Sequence, residues 1–391
     1  MNNTNYSLAI VGGAGHVGLP LSLVLADAGH NVTIIDINQK ALSEIQKGIF
    51  PFAEEGGTEL LKKILNTTRF SLSSNHKDIE KCDVIILTVG TPIDEHLNPD
   101  LKSVYNTISE IKPHLGDDQV IIFRSTLFPG TSEKISQLLR NAGINAGISF
   151  CPERIAQGYA LKEIKEFPQI ISGSNKKSVE VARKLFVDIA SEIIELDLTE
   201  AEIAKLFTNT WRYIKFSIAN QFYMLAEDKG INFYKIKNAI TKNYPRAKDF
   251  PNAGFAAGPC LFKDTMQLAA FNRHNFSLGH SAMLINETLP DFLIEQAKKQ
   301  TSLVGKKVGI LGMAFKPNND DNRDSLAYKL KKLLNYENAV VLCTDPYIKD
   351  DDFFPLNDVL NESEIIFIGC LHKEYENLEI NNKLVINCWS E

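Results

Sequence analysis

The chain has 391 residues, 44% of them apolar and 23% charged, with a formal net charge of -6. That length exceeds one ordinary core and predicts two or three domains, and the composition excludes a disordered or fibrous class. The negative balance gives no electrostatic footprint for nucleic acid, so the expected partner is a small molecule and not a polyanionic macromolecule.

No apolar run approaches the roughly 18 residues that span a bilayer, and the start Met1-Asn2-Asn3-Thr4-Asn5 has neither the basic nor the apolar stretch of a signal peptide. A cytoplasmic protein with no membrane partner is expected. Cys82, Cys151, Cys260, Cys343, Cys370 and Cys388 are scattered without CxxC spacing, which predicts neither a disulfide framework nor a metal site.

In chain order, β-branched runs at 8–11, 32–36, 84–89, 120–123, 148–150, 169–172 and 193–196 alternate with helix-like segments. This is the rhythm of a parallel sheet covered by helices on both faces. From Thr199 to about Gly230 a long helix is expected, opened by Thr199 and Glu202 as a capping box. Its apolar residues run almost all the way round, which predicts burial between domains or between subunits of a homodimer. Strand signals return at 307–311, 339–344, 365–369 and 384–388, so a second, smaller α/β lobe closes the chain. The expected division is 1–197, a helical 198–300, and 301–391.

Gly13-Ala14-Gly15-His16-Val17-Gly18 follows the first strand and leads into a helix, and Asp36 closes the second strand. Gly13 suits the tight turn, Gly15 lets the backbone approach a pyrophosphate, and Gly18 permits close helix packing. Asp36 is placed to accept ribose hydroxyls and to repel a 2′-phosphate, so NAD is the expected cofactor, with His16 and Val17 in the same contact loop. Two further strand ends, Thr88 to Pro92 (with Thr91) and Phe123 to Thr126, point at the same crevice; each taken singly reads equally well as an ordinary polar turn.

In Gly258-Pro259-Cys260-Leu261-Phe262-Lys263-Asp264, Pro259 suits the first helical position and puts Cys260 in the first turn, where unpaired amides favour a thiolate. Asp264 lies one turn further on. Lys205 and Asn209 form a second such pair on the long helix, where a buried lysine is costly without a partner or a task. A thiolate adds nothing to simple alcohol oxidation. It becomes useful when an aldehyde must go on to an acid through a thiohemiacetal and a thioester, and Glu153 is the candidate carboxylate for activating the hydrolytic water.

On these residues, together with Thr91-Pro92, Arg124-Ser125-Thr126, Pro152-Glu153-Arg154, Gly312 to Lys316 and Asp321 to Ser325, the sequence resembles the UDP-glucose/GDP-mannose dehydrogenases. The resemblance implies an NAD lobe, a central helical dimerisation domain and a nucleotide-binding α/β lobe. It implies four-electron oxidation of the C6 hydroxyl of a UDP-hexose, for synthesis of surface-polysaccharide precursors. By position Cys260 looks like the nucleophile, Lys205 and Asn209 the base and oxyanion stabilisers that also hold substrate, and Asp264 the group orienting a water. Thr126 and Glu153 look like the groups serving hydride transfer and hydrolysis. Thr91, Thr126, Lys263 and Arg323 look like cofactor contacts, and Arg154, Arg246, Gly258 and Lys316 like substrate contacts.

The glycine-rich stretch of many members is here Phe255-Ala256-Ala257-Gly258, so Ala257 is expected to change how closely the sugar approaches. Thr91 to Leu101 and Pro152 to Ile155 look more like members acting on UDP-N-acetylhexosamines than on UDP-glucose. Two other classes compete. A two-electron dehydrogenase of the 6-phosphogluconate or 3-hydroxyacid type would keep its activity without Cys260, and a non-catalytic NAD sensor would bind NAD and turn nothing over.

Overall fold

The computed structural model describes residues 5–256 and 258–390. Two compact units divide at Thr208 and Asn209, a point inside one long helix.

The first unit is built on six parallel strands: β1 (Ser7–Val11), β2 (Asn31–Ile35), β3 (Phe70–Ser73), β4 (Val84–Leu87), β5 (Val120–Phe123) and β6 (Gly147–Phe150). They run in the order β3-β2-β1-β4-β5-β6. Both faces are covered, as parallel sheets require. Leu8, Ile10, Val84 and Ile86 enter one core with Leu19, Leu23 and Leu185. Ala9, Val11, Ile85 and Leu87 enter the other with Val104, Ile135 and Leu139. The order reverses between β1 and β4, which opens a crevice at their carboxyl ends.

Two sequence expectations change here. Phe70-Ser71-Leu72-Ser73 gives little strand signal, yet pairs with β2 as the sheet edge; its weak apolar content reflects half-burial. The runs near 169 and 193 form β7 (Gln169–Ile171) and β8 (Ile193–Glu195), which pair only with each other as a separate two-stranded parallel sheet.

The helix spans Leu198–Asp228, 31 residues. Thr199 and Glu202 do not cap it. The backbone N–H of Asp197 donates to Glu200 at 3.0 Å. Glu202 is buried and instead accepts from the N–H of Gly130 at 2.5 Å and from the N–H and hydroxyl of Ser132 at 2.9 and 2.6 Å. It thus caps the helix Thr131–Asn141. Nor is the long helix buried on every side: Leu206, Tyr213 and Ala219 are covered, while Phe207, Trp211, Ile218, Phe222 and Leu225 stand exposed in the single chain.

The second unit carries β9 (Lys307–Leu311), β10 (Val340–Thr344), β11 (Ile365–Ile368) and β12 (Leu384–Ile386), parallel and ordered β10-β9-β11-β12. Val308, Ile310 and Phe367 pack against Leu330 and Leu334 of the helix Leu326–Tyr336 on one face. Leu311, Ile366 and Ile368 pack with Val359 and Tyr375 on the other. Helices Leu261–Phe271 and Ser277–Lys298 belong to the same unit. Among the described residues no helix is long and apolar enough to cross a membrane, and no three His, Cys, Asp or Glu side chains gather as a metal site. Ala257 lies outside the described residues.

Candidate active site

The glycine loop meets the geometric demands of a dinucleotide. A Cβ on Gly13 would sit 2.7 Å from the carbonyl oxygen of Ile10, and one on Gly18 would sit 2.5 Å from the Cα of Gly13. Gly15 differs: its Cβ would meet protein only at 3.7 Å, so the bare backbone there leaves room for an outside group. The following helix, Gly18–Asp27, has no side-chain cap, and its amino end is suited to an anion. Asp36 accepts the N–H of Ala14 at 2.9 Å through one oxygen and the N–H of Asn38 at 2.9 Å through the other. A carboxylate has about four acceptor positions, so hydroxyls can still bind there. His16 stacks on Phe52 with ring centroids 4.0 Å apart. Thr88, which the sequence marks only as the start of a strand-end loop, ties the glycine loop down by donating to the carbonyls of Val11 and Gly12 at 3.0 and 2.9 Å. Thr91 and Thr126 are buried beyond the ends of β4 and β5.

At the end of β6 Glu153 is nearly buried and occupied by hydrogen bonds. One oxygen accepts from the N–H groups of Arg154 and Ile155 at 2.8 and 3.1 Å, and the other from the guanidinium of Arg124. Arg124 also donates to Gln169 at 2.7 Å and lies over the Phe186 ring. The sequence marks Arg124 only as part of a loop motif; the fold makes it the charge partner that lets Glu153 sit inside the protein. Arg154 donates to the carbonyl of Pro168, and burial pushes its pKa down. Lys205 is buried on the long helix, one turn before Asn209.

In the second unit Cys260 is the N-cap of the helix Leu261–Phe271, so the helix begins two residues later than the sequence suggests and Pro259 precedes the cap instead of opening the first turn. The N–H of Asp264 donates to the Cys260 carbonyl at 2.9 Å as the first turn closes. Asp264 is fully buried; it accepts the Asn209 amide at 2.6 Å and pairs with Lys263 at 3.2 Å. Cys260 is exposed and the other five cysteines are buried. Burial pushes the thiols of Cys82, Cys151 and Cys343 up to about 11 and that of Cys388 up to about 12, and raises Cys370 as well. Hydrogen bonds from Arg323 to Asp321 raise the Arg323 pKa, and the Asp321 charge adds to the shift.

Gly258 has a φ of +96°, and a Cβ there would fall 2.4 Å from the Phe315 ring. Lys316, next to Phe315, is half-buried with its ammonium 5.9 Å from that ring. Arg246 stands exposed on the short turn Pro245–Ala247.

A doubly wound parallel sheet with this glycine loop at its switch point, followed by a helical region and a second parallel lobe, defines an NAD-dependent dehydrogenase. The comparisons narrow the class. Models of the UDP-glucose/GDP-mannose dehydrogenase family match in order: the NAD binding domain over residues 7–190, the central domain over 199–288 and the UDP binding domain over 309–389. The chain belongs to the UDP-glucose/GDP-mannose dehydrogenase family. It is 31% identical to the UDP-N-acetyl-D-mannosamine dehydrogenase of Methanocaldococcus jannaschii, an alignment covering 96% of this chain and 90% of that one. The UDP-D-ManNAc dehydrogenase structure from Pyrococcus horikoshii superposes with a TM-score of 0.90 at 27% identity, covering 98% of this chain and 95% of that one. The UDP-glucose dehydrogenase from Pyrobaculum islandicum shares the fold at a TM-score of 0.93 and 23% identity, over 99% and 95% of the two chains. The chain is thus an oxidoreductase of nucleotide sugars, and the simpler two-electron hydroxyacid class is set aside.

Proposed function

We propose that this enzyme oxidises the C6 hydroxyl of UDP-N-acetyl-D-mannosamine to the carboxylate, with Cys260 as covalent nucleophile. The observation that carries the thiol route is the exposed Cys260 at a helix N-cap, one turn from the buried Asn209–Asp264–Lys263 cluster, among five cysteines that are sequestered. The sugar assignment rests on the similarity to UDP-N-acetyl-D-mannosamine dehydrogenases.

NAD, when bound, would supply the hydride acceptor, one NAD for each of the two oxidations. Lys205 takes the proton of the C6 hydroxyl as the C6 hydride leaves, giving an aldehyde. The Cys260 sulfur then forms a bond to C6, and the new oxyanion is held by Asn209 and Lys205. Loss of the second hydride from C6 collapses this adduct to a thioester. A water oriented by Asp264, with Thr126 and Glu153 assisting, attacks the thioester; the C–S bond breaks, and the carboxylate and free thiol remain. Gly13, Gly15, His16, Val17, Gly18, Asp36, Thr91, Lys263 and Arg323 serve the cofactor, and Arg154, Arg246, Gly258 and Lys316 the substrate.

The NAD lobe (1–197), helical domain (198–300) and nucleotide-sugar lobe (301–391) divide these tasks. The exposed stripe of Phe207, Trp211, Ile218, Phe222 and Leu225 is assigned to a homodimer, because an isolated patch of large side chains is otherwise costly in water. Six free thiols suit a reducing cytoplasm. Steady-state kinetics with UDP-N-acetylmannosamine, UDP-N-acetylglucosamine, UDP-N-acetylgalactosamine and UDP-glucose test the sugar assignment. The first is expected to give the highest kcat/KM, and a preference for UDP-glucose overturns the assignment.

A further inference from the structure

In the second unit the buried pair Asp345 and His372 lies behind the loop 312–318. One Asp345 oxygen accepts the N–H groups of Met313 and Ala314 at 2.7 and 3.1 Å and faces the Nε2 of His372 at 3.1 Å. Its other oxygen accepts the N–H groups of Tyr347 and Ile348 at 2.8 and 3.0 Å. His372 is fully buried against Tyr347 and Tyr375. Its Nδ1 accepts the N–H of Asn318 at 2.9 Å. That bond puts the ring proton on Nε2, directed at Asp345. The Asn318 side chain returns to the chain beside His372 by accepting the N–H of Lys373 at 3.0 Å.

Both ends of the loop are therefore fixed through one buried carboxylate–imidazole relay: Asp345 holds residues 313 and 314, and His372 holds residue 318. Between those points lie Phe315 and Lys316. Phe315 packs on the Cα of Gly258, two residues before Cys260, and its N–H donates to the Asp321 carbonyl at 3.1 Å. We infer that His372, oriented by Asp345, is a positioning residue that sets the 312–318 loop and so fixes where Lys316 meets the nucleotide sugar. The inference rests on the assignment of Lys316 as a substrate contact. Any buried imidazole needs partners for both nitrogens; here one partner is the backbone of residue 318 and the other is the carboxylate that holds residues 313 and 314, so the ring ties the two ends of the loop together.

The test compares H372A, H372N, H372Q and K316A as full-length enzyme, measuring KM for UDP-N-acetylmannosamine and for NAD, with thermal melting as the control for folding. Asparagine offers an oxygen near the place of Nδ1 and keeps the bond to Asn318; glutamine offers a donor near the place of Nε2 and keeps only the contact with Asp345. H372A is expected to raise the sugar KM about tenfold with the NAD KM within about twofold, and H372N to recover most of the loss where H372Q does not. A folded H372A with an unchanged sugar KM overturns the inference, as does an equal rise in both KM values. An unchanged sugar KM in K316A removes the Lys316 assignment and the inference with it, whereas a raised value in K316A beside an unchanged H372A removes the inference alone. If H372A fails to fold, the H372N and H372Q pair decides: equal KM values overturn the inference, and a raised value in H372Q alone supports it.

Discussion

The side-chain amide of Asn209 donates to the buried carboxylate of Asp264 at 2.6 Å, joining the long helix to the helix that Cys260 caps. Lys263 holds the other oxygen of the same carboxylate at 3.2 Å. An anion in that position can direct a water proton, and an amide of the same shape cannot accept one as strongly. Asp264→Asn is therefore expected to lower kcat by roughly 100-fold or more, the range of a lost acid–base group, with a small change in sugar KM. A kcat within a few-fold of wild type would remove Asp264 from the chemistry.

Thiol reactivity follows from exposure. Near pH 7 iodoacetamide should label Cys260 well before Cys82, Cys151, Cys343, Cys370 or Cys388, because those five are buried and their thiols are held above the ordinary range. Saturating nucleotide sugar should protect Cys260. Peptide mapping reads both effects, and uniform labelling of all six counts against the nucleophile assignment.

Gly258 cannot carry a side chain without strain. Its φ of +96° is one that L residues rarely adopt, and the Phe315 ring occupies the space a methyl would need. Gly258→Ala is expected to cost more than about 2 kcal/mol, measured by urea unfolding, and to weaken sugar binding by moving Phe315. Unchanged stability would mean that the loop yields freely.

The buried Asp345 carboxyl keeps a pKa below the ordinary 3.8: burial pushes it up, but His372 and the N–H groups of Met313 and Tyr347 pull it down further. A folded value below the unfolded one means that ionised Asp345 stabilises the fold above the unfolded value, and that this stability is lost as pH falls through the lower folded value. Asp345→Asn should therefore destabilise the protein by about 2 kcal/mol at pH 7, by nearly as much at pH 4, and by less only as pH falls below the ordinary 3.8 toward the folded value. A gap that widens on acidification contradicts the assignment of charge.

Exposed Trp211 and Phe222 lie eleven residues apart, three helical turns, on one side of the long helix. Trp211→Glu should shift the protein from dimer to monomer in light scattering. A wild-type monomer at micromolar concentration would contradict the dimer assignment.

Much of the architecture was legible because the two larger sheets are parallel and buried: β4 and β5 are apolar throughout, and β1 and β9 carry apolar runs broken only by Ser7, Lys307 and Gly309. The edge strand Phe70–Ser73 was not, since its apolar–polar alternation runs over only four residues, two of them serines with little strand preference. Glu202 misled for a related reason. Spacing from Thr199 fits a capping box, but nothing local records that its carboxylate instead serves Gly130 and Ser132, some seventy residues away in sequence. Candidate residues at strand ends and at the Cys260 helix start are marked by local sequence, and Lys205 and Asn209 by helical spacing, whereas Arg246, Lys316 and Arg323 came only from the family resemblance. The groups that hold them (Thr88, Arg124, Asp345 and His372) act through long-range hydrogen bonds that only the fold brings about.

The central claim is that one active site removes two hydrides from C6 with Cys260 carrying the intermediate. It is tested most directly by counting NADH formed per UDP-N-acetylmannosamine consumed, in wild type and in Cys260→Ser. The account predicts two NADH per sugar for wild type, with the C6 carboxylate as product, and loss of that complete oxidation in the variant. One NADH per sugar with an aldehyde accumulating, or two from an enzyme lacking the thiol, would contradict it.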